Sequence, residues 1–508
     1  MTNNKGVSVF VLALALFGLL VLPYAAMLNA VEATIFPGMM SDSAEGTSAQ
    51  VPTNTTTPFL TLANSTNGSI KVIATSGDLV GDSNYKFAKI PDGMGAFVEG
   101  PKSNTANGTL IVFVSHELEN GTYDEGFAKV SKLELNPNGT IIQSNFPING
   151  SEMYERFCSG SLVEGYGFEH PIYFANEEVN DGIVVAIDGV TGKVTEMPWL
   201  GKLSHENTIH VPYFYETANK TVLLTFEDSD PTKSEVYMYV ADSPKDLLEG
   251  NGQLYVFGAK DNRYNTWDDI YYSNPGTIIG TFIPLEWNYT TQDEVKLNEE
   301  AVSAGAFQFI RPEDGAMDKR EGHTNTVYMS ETGSDVDEDD LPIPIGYNGQ
   351  EWDRGRIYRF TFTDPADPTS ANLEVIMDGN DPRAPGYAQN LSEAMVNPDN
   401  MDTSLNTLMI QEDRIDANRF NATMPYNVSN NGKILMVDLD TIDAGEADME
   451  TVAYVNQIAN QTSKHGDWES SGILDVSDFF GEGNWLTNVQ AHTFEEGGQL
   501  LLLDVKGS

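Results

Sequence analysis

The feature that most constrains the fold is a strand pair that recurs six times along the chain. In each pair an apolar or alternating run ends in an acidic or amide residue, and a second apolar run follows after a turn. The first runs end at Glu117, Glu178, Asp228, Glu331, Asp413 and Gln490. Short runs broken by Gly, Asn, Asp and Pro are typical of β-strands, and helical periodicity is scarce from about residue 70 onward. The pattern predicts an all-β chain built from a repeated hairpin.

Six such units over roughly 430 residues indicate one closed domain, a six-bladed β-propeller with loop insertions. A closed ring of blades protects its sheet edges. Two β-sandwiches are the alternative, but they do not require an acidic group to recur at the same place in every unit. The largest insertions are expected at about 250–305 and 335–352. We predict that the propeller domain covers residues 70–508.

The N-terminal segment has the composition of an export signal. Residues 6–28 contain no charged side chain and follow a stretch with one lysine, Lys5, which is typical of a signal peptide or a membrane anchor. We therefore interpret residues 1–33 as signal or anchor and residues 34–69 as a Ser/Thr/Pro-rich linker. Asn-x-Ser/Thr sequons spread along the chain fit an exported glycoprotein. The predicted location is extracytoplasmic, either secreted or anchored to the outer face of the cell membrane.

The charge balance excludes nucleic acid as a partner. The chain has 28 Lys and Arg against 75 Asp and Glu, a formal net charge of −47, whereas nucleic-acid binding needs stripes of basic residues. This acidity suits cation binding or a saline exterior. The chain has 1 cysteine, Cys158, which rules out an internal disulfide framework and a Cys-rich zinc or iron–sulfur module.

A further polar residue precedes most of the acidic strand ends by about twenty residues, in an apolar or Gly-rich setting. These residues are Cys158, Glu206, Glu313, Asn400 and Glu469. Equivalent positions of all blades converge on the central channel of a propeller, so we expect these groups to face one another. Converging carboxylates stay ionised only if cations neutralise them, which predicts a multi-metal centre. Oxygen ligands favour Ca²⁺, and a lone thiolate shifts one position toward a transition metal.

Each of these residues also has an ordinary structural explanation. An acidic strand end is usually a solvated turn residue, and a single buried cysteine is usually a small apolar residue. Arg311 alone would be an ion-pair partner for a neighbouring carboxylate. We interpret Asp92 and Gly93 as a tight turn, and the acidic run 335–340 as a solvated or Ca²⁺-binding insertion. The six-fold recurrence is what favours a site.

In the same chain order, the motifs resemble those of the PhoX-type alkaline phosphatases, a secreted bacterial family of six-bladed propellers. The resemblance covers most of residues 85–500. The matching segments are PDGMGAF with VSHE, FCSGSL with NEE, LSHENT, TFEDSD, FIRPEDG, PDN with IQED, and ESSG with NVQ. The chain departs from the family at Ser159 and Ser161, where the family has Ala and Gly, and at Asn176, where it has a second cysteine. The family's twin-arginine signal is also missing.

The resemblance implies a centre of two ferric and three calcium ions around an oxo bridge. Carried over by position, the implied first iron ligands are Cys158, Glu206 and Glu313. The residues implied to complete the iron and calcium shells are Glu178, Asp228, Asp413 and Glu469. Arg311 is implied to contact the oxygens of the phosphate.

The leading hypothesis is an alkaline phosphatase-like enzyme that hydrolyses small phosphate monoesters with Ca²⁺ and Fe³⁺, with membrane anchoring through residues 6–28 as an option. Two alternatives stay open. One is another Ca²⁺-dependent propeller hydrolase, such as a lactonase or phytase, and the other is a non-catalytic surface module whose channel holds Ca²⁺. Cys158 discriminates the leading hypothesis from these alternatives, because a thiolate is not expected in a calcium-only site.

Overall fold

Strands dominate the part of the chain that the structure, a computed structural model, describes. The described residues are 56–81, 84–100, 108–120, 125–229, 234–267, 269–270, 276–333, 353–389, 393–413, 432–455, 468–492 and 497–506. The apolar segment 6–28 and the acidic run 335–340 lie outside them. Among the described residues, no helix combines the length and the apolar character that crossing a bilayer requires.

Antiparallel units of neighbouring strands follow one another along the chain, after two N-terminal strands. The N-terminal strands are β1 (Leu60–Leu62) and β2 (Gly68–Thr75). Blade 1 consists of β3 (Pro91–Glu99), β4 (Thr109–His116), β5 (Lys129–Leu135) and β6 (Ile141–Ile148). Blade 2 consists of β7 (Phe157–Val163), β8 (Ile172–Glu177), β9 (Val184–Asp188) and β10 (Val194–Glu196). Blade 3 consists of β11 (His205–His210), β12 (Thr221–Glu227), β13 (Val236–Ala241) and β14 (Gly252–Ala259), and β15 (Ile278–Pro284) follows it.

The second half of the chain repeats this arrangement. Blade 4 consists of β16 (Pro312–Met317), β17 (Thr326–Glu331), β18 (Arg356–Phe362) and β19 (Ser370–Asp378). Blade 5 consists of β20 (Pro398–Thr403), β21 (Thr407–Glu412), β22 (Lys433–Asp438) and β23 (Met449–Val455). Blade 6 consists of β24 (Trp468–Asp475), β25 (Asn484–Ala491) and β26 (Gly498–Val505). The connections carry the short helices α1 (Tyr213–Ala218), α2 (Pro244–Glu249), α3 (Glu294–Ala304), α4 (Leu439–Asp443) and α5 (Ser477–Phe480).

The first strands of the six blades close a ring. In turn, β3, β7, β11, β16, β20 and β24 each contact the next, and β24 contacts β3. The structure therefore confirms the predicted all-β propeller. The blades are not six separate sheets, however, because the described strands form five hydrogen-bonded sheets. Strand β15 pairs with both β14 and β19, so that blades 3 and 4 share one nine-stranded sheet.

The two N-terminal strands belong to the last two blades. Strand β1 pairs with β23 of blade 5, and β2 pairs with β26 as the outermost strand of blade 6. Blade 6 is thus completed by both ends of the domain, which fastens the ring. Residues 60–62 and 68–69 lie in sheets, so the interpretation of residues 34–69 as a linker throughout is wrong for these positions.

Apolar cores lie between neighbouring blades. Each pair of neighbouring blades around the ring, including blades 6 and 1, is joined by its own cluster of buried apolar side chains. Between blades 1 and 2, for example, Phe113 stacks on Tyr173 with ring centroids 5.1 Å apart, and both are fully buried. Each aromatic side chain buried in this way contributes roughly 1.5–3 kcal/mol. These contacts hold the inner strands, and hence the channel, in a fixed geometry.

The sequence analysis missed the inner strand of each blade. The hairpins that it identified are the second and third strands, such as β4 and β5, whereas the channel is lined by the strand before them. The inner strands carry polar and glycine residues because they approach one another closely around the axis. A Cβ added to Gly93 would collide with the backbone at Gly160 in the next blade. Tertiary packing, rather than strand propensity, makes these segments extended.

Candidate metal centre

A β-bulge near the start of the inner strand turns one side chain toward the channel in most blades. In β7, Phe157 pairs with Glu177 but Gly160 pairs with Ala175, so one residue is extra on the inner strand. The same shift occurs in β3, β11, β16 and β20, and β24 has a shift later, between Ser471 and Ile473. The residue after the first pair is acidic or a cysteine in every blade. These residues, here called the inner ring, are Asp92, Cys158, Glu206, Glu313, Asp399 and Glu469.

A second set of side chains follows the second strand of each blade. These residues, here called the outer ring, are Glu117, Glu178, Asp228, Thr332, Asp413 and His492. In blades 1 to 5 their backbone is fixed by a repeated hydrogen bond, in which the N–H donates to the carbonyl of the residue two positions before the inner ring. The N–H of Glu178, for example, donates to Arg156 over 2.9 Å, and that of Asp413 donates to Asn397 over 2.9 Å. In these five blades the outer ring therefore has a fixed position relative to the inner ring.

The residues of the two rings other than Thr332, together with two arginines, line a cavity of about 70 Å³ at the channel. Its lining side chains carry nine carboxyl groups, one thiol, one imidazole and two guanidinium groups. They are Asp92, Glu117, Arg156, Cys158, Glu178, Glu206, Asp228, Arg311, Glu313, Asp399, Asp413, Glu469 and His492. All eight site residues named from the sequence lie in this cavity, here called the acidic cup. Their individual roles stay predictions.

Sequence reasoning missed several members of the acidic cup. Asp92 is not a turn residue but the inner-ring member of blade 1, and Asp399, rather than Asn400, is that of blade 5. Asn400 lies beside the ring, where its Oδ1 accepts the N–H of Gly472 over 2.8 Å. Arg156 and His492 were also missed. The pairs Pro-Asp, Pro-Glu and Pro-Asp at 91–92, 312–313 and 398–399 are a repeated motif that could have located the ring in three blades.

Two other expected strand ends lie outside the acidic cup. Glu331 is completely buried within blade 4 and pairs with Arg356 over 2.7 Å, and Thr332 takes the outer-ring position. Gln490 has a supporting position, since its Nε2 donates to Asp92 over 2.8 Å and to Glu117 over 3.1 Å. In blade 4, the acidic residue that ends the strand therefore precedes the outer-ring position by one residue. Gln490 holds two ring carboxylates in place through its hydrogen bonds.

Burial and mutual repulsion perturb the acids of the cup. Burial, together with nearby carboxylates, raises the pKa of Glu178 to about 7 although Arg156 opposes the shift. Burial raises the pKa of the Cys158 thiol well above its usual value, and the charge of Glu117 adds to this. The same two causes raise the pKa well above its usual value for Asp92, Glu206, Glu313 and Asp399.

Two guanidinium groups supply the built-in positive charge. Arg311 pairs with both carboxylate oxygens of Asp228, from Nε over 2.7 Å and from Nη2 over 2.8 Å, and with Glu313 over 3.2 Å. Arg156 pairs with Glu117 over 2.8 Å and with Glu178 over 2.5 Å. Two cations do not neutralise nine carboxylates, so the ionised cup requires further positive charge.

The ligand atoms of the acidic cup fit a cluster of cations. Three groups each bring three ligand atoms within 4.8 Å of one another. They are Asp92 with Glu117 and Cys158, Cys158 with Glu178 and Glu206, and Glu206 with Glu313 and Asp399. Neighbouring groups share Cys158 or Glu206, so the three positions are contiguous. The Oδ1 of Asp399 is buried and has no hydrogen-bond partner among the described residues, which also fits a metal ligand.

Comparison with known proteins identifies the fold. No protein-family model matches the sequence, and neither does any curated protein. Among solved structures, the chain is similar to Pseudomonas fluorescens PhoX in complex with vanadate, a transition state analogue, at 15% identity and a TM-score of 0.59, over 90% of this chain and 97% of that one. It also matches an α-L-arabinanase of Penicillium chrysogenum at 10% identity and a TM-score of 0.42, over 87% and 99% of the two chains. At 15% identity, the likeness to PhoX shows a shared fold.

Proposed function

We propose that this protein is a metal-dependent phosphatase that hydrolyses small phosphate monoesters, as an alkaline phosphatase of the PhoX type. The observation that carries the proposal is the acidic cup, where three contiguous groups of potential metal ligands lie next to the half-buried Arg311. The similarity to PhoX supports it, because that protein binds vanadate as a transition state analogue. The recurring motifs of the sequence support it independently.

Arg311 is the residue that we assign to the phosphoryl group. Its planar guanidinium reaches into the cup and is held by Asp228 through two parallel hydrogen bonds, so its orientation is fixed before an anion arrives. A side-chain exposure of 26% leaves part of it accessible from the cavity. A fixed positive charge of this kind stabilises the negative charge that develops on the oxygens of a transferring phosphoryl group.

The acidic residues of the cup would hold the metals. Cys158, Glu206 and Glu313 would contribute to iron ligation, with Glu178, Asp228, Asp413 and Glu469 completing the iron and calcium sites. When bound, such cations supply Lewis acidity at the phosphoryl oxygens and activate water. They also reverse the local field, which is necessary because a protein of net charge −47 otherwise repels an anionic ester.

The proposed setting is extracytoplasmic. Residues 6–28 would act as a cleaved signal or as an anchor on the outer face of the membrane, and the acidic surface would keep the protein off nucleic acids. Small phosphate esters outside the cell are the proposed substrates. An extracytoplasmic protein must load its metals either before or after export, so metal content measured on secreted protein bears directly on the proposal.

The test is hydrolysis of a chromogenic phosphate monoester by the purified chain loaded with Ca²⁺ and iron. We expect turnover that chelator abolishes and that the two metals restore. Arg263→Met is the control, because Arg263 is exposed and pairs with its neighbour Asp261. Turnover with Ca²⁺ alone and no iron would instead favour a calcium-dependent propeller hydrolase, and loaded protein that hydrolyses no ester would favour a binding module.

A further inference from the structure

Arg156 and Arg311 stand at the same position of the repeat. In blades 1 to 5, the carbonyl of the residue two positions before the inner ring accepts the N–H of the outer-ring residue, over 2.9–3.1 Å. The residues at this position are Ile90, Arg156, Ser204, Arg311 and Asn397. Blades 2 and 4 alone among these carry a charged side chain there. The two arginines therefore flank blade 3 at equivalent heights in the channel wall.

The backbone at this position has the same conformation in four of these five blades, blade 3 with Ser204 being the exception. The φ angles of Ile90, Arg156, Arg311 and Asn397 are 46°, 47°, 53° and 48°, all in the left-handed region. Non-glycine residues adopt this region infrequently, and a β-branched residue such as Ile90 rarely does. Its recurrence at a single place shows that the blade imposes the conformation. The side chains of Arg156 and Arg311 therefore leave the backbone from equivalent geometry.

The ion pairs of the two arginines also correspond. Arg311 contacts Asp228 of the preceding blade and Glu313 of its own blade. Arg156 likewise contacts Glu117 of the preceding blade and Glu178 of its own. Both guanidinium groups line the acidic cup.

The two arginines differ in how many of their nitrogen atoms contact carboxylates. Arg311 binds Asp228 through Nε and Nη2 together, whereas both ion pairs of Arg156 use Nη2. The Nε of Arg156 is buried without a hydrogen-bond partner among the described residues. A buried N–H donor that makes no hydrogen bond is costly unless a ligand accepts from it. The Arg156 side chain is also the more accessible one, at 37% exposure against 26% for Arg311.

The carboxylates that hold Arg156 are themselves potential metal ligands. Glu117 belongs to the group with Asp92 and Cys158, and Glu178 belongs to the group with Cys158 and Glu206. Cations at these two groups would take over the negative charge that Arg156 now balances. Its guanidinium charge is then available to an anion, in the same cavity as that of Arg311.

We propose that Arg156 is a second anion-binding residue of the acidic cup, which binds the phosphoryl group of the substrate together with Arg311. The identity of the anion rests on the proposed function. A phosphoryl group offers three non-bridging oxygens, so two guanidinium groups on different blades can bind different oxygens. Two such contacts favour a monoester, whose terminal phosphoryl is a dianion, over a diester, which carries a single negative charge.

The test uses the full chain loaded with metals, and compares Arg156→Met, Arg156→Lys and the control Arg263→Met. Binding of inorganic phosphate is measured by calorimetry, metal content by elemental analysis, and KM and kcat with a chromogenic monoester. Removing a charge-assisted contact should raise both the phosphate Kd and KM about tenfold or more, with a smaller change in kcat. Arg156→Lys keeps the charge but loses the planar guanidinium, so its phosphate Kd and KM should lie between those of the wild type and Arg156→Met. Metal content should stay at the wild-type level in all three variants.

Two outcomes would overturn the proposal. If Arg156→Met and Arg156→Lys bind phosphate as tightly as the wild type, Arg156 is a partner of Glu117 and Glu178 and nothing more. If the variants lose metal in proportion to phosphate affinity, Arg156 positions the metal ligands rather than the anion. A wild type that binds phosphate in an Arg156-dependent way yet hydrolyses no ester would contradict the proposed function while supporting this inference. A loaded wild type that binds no phosphate would contradict both.

Discussion

Glu412 and Asp413 are neighbours in the chain, yet their charges are balanced in different ways. Glu412 is completely buried within blade 5 and pairs with the ammonium group of Lys433, which is also buried, over 2.8 Å. Asp413 lies in the acidic cup, where two arginines face nine carboxyl groups. The comparison separates carboxylates that the blade neutralises itself from carboxylates that need a cation from outside.

The same contrast appears in blade 4. Glu331 pairs across the strands with Arg356, whose guanidinium also holds Asp353 over 2.9 Å and Asp378 over 3.3 Å. Glu313 of the same blade and Asp399 of the next blade, by contrast, face other acids in the cup. Neighbouring residues such as Glu412 and Asp413 can therefore serve different purposes, since the first stabilises the blade and the second lines the cup.

Removal of metal should have the largest effect on stability. Chelator leaves the carboxylates of the cup repelling one another, while Glu331 and Glu412 keep their internal partners. At a free Ca²⁺ concentration of ~1,000 Kd each site contributes about 4 kcal/mol, so loss of several sites should lower the Tm by several degrees or more. Scanning calorimetry before and after chelation, and after Ca²⁺ is restored, measures the effect. If neither chelation nor restored Ca²⁺ changes the Tm, the prediction that the acidic cup holds metal ions is wrong.

The metal-free protein should also respond to pH in a defined direction. The pKa of Glu178 is about 7 in the folded cup, raised from 4.5, so this group favours folding when protonated. Its contribution is fully present below about pH 4.5 and is lost as the pH rises through 7. The Tm of the chelated protein should therefore fall between pH 5 and pH 8, and the decline should be smaller with Ca²⁺ present. A chelated protein whose Tm rises over this range would contradict the assignment.

Replacement of a buried basic side chain that pairs with carboxylates inside a blade should lower the free energy of unfolding by the same amount with and without Ca²⁺. Arg356→Met leaves Glu331, Asp353 and Asp378 buried without their shared partner, and breaking such an arrangement costs about 3–5 kcal/mol. The matched variant Lys433→Met tests the simpler pair of blade 5. Chemical denaturation measures both, with and without Ca²⁺. If Ca²⁺ restored the stability of Arg356→Met, the blade 4 cluster would itself be a cation site and the comparison would fail.

Arg311→Met should affect turnover more than stability. The substitution keeps much of the side-chain volume and removes the charge that we assign to the phosphoryl group. We expect kcat to fall about a hundredfold or more, with metal content close to that of the wild type. Steady-state kinetics and elemental analysis provide the measurement, with Arg263→Met as the control. Unchanged turnover would leave Arg311 as an ion-pair partner of Asp228 and Glu313.

The parts of the fold that the sequence predicts are those with a local pattern. The second and third strands of each blade alternate or are continuously apolar, so their pairs were visible and gave the propeller. The inner strands were not predicted, because their polar and glycine residues become extended only when neighbouring blades pack around the axis. The sharing of one sheet by blades 3 and 4 depends on β15, whose partner β19 lies about 90 residues further along the chain.

The site divides in the same manner. Acids that end a recognisable strand, such as Glu178, Asp228 and Asp413, were identified with their blades. Asp92 was not, because Asp-Gly also has a good local explanation as a turn. Glu331 shows the opposite error, since an acidic strand end is a channel residue only if nothing within the blade neutralises it. Whether Arg356 reaches Glu331 depends on cross-strand register, which a single sequence does not specify.

The smallest effect on stability should come from Cys158→Ser, which tests the one ligand that a calcium-only site does not need. Cys158 is buried and belongs to two of the three potential metal groups. The serine hydroxyl stays protonated near neutral pH and is a weak ligand, so a transition metal should be lost while the carboxylate positions keep their Ca²⁺.

The readout for Cys158→Ser separates the metals from the fold. A thiolate bound to ferric iron gives a visible charge-transfer band that carboxylates do not produce, so the wild type should be coloured and the variant colourless. Iron content and phosphatase activity should be lost together, whereas the Ca²⁺-dependent part of the Tm should persist. If the wild type contains no iron and Cys158→Ser changes neither activity nor colour, the cup is a calcium site. Cys158 would then resemble Glu412 in being a buried residue that contributes only to the packing of its own blade, although Cys158 lines the channel and Glu412 does not.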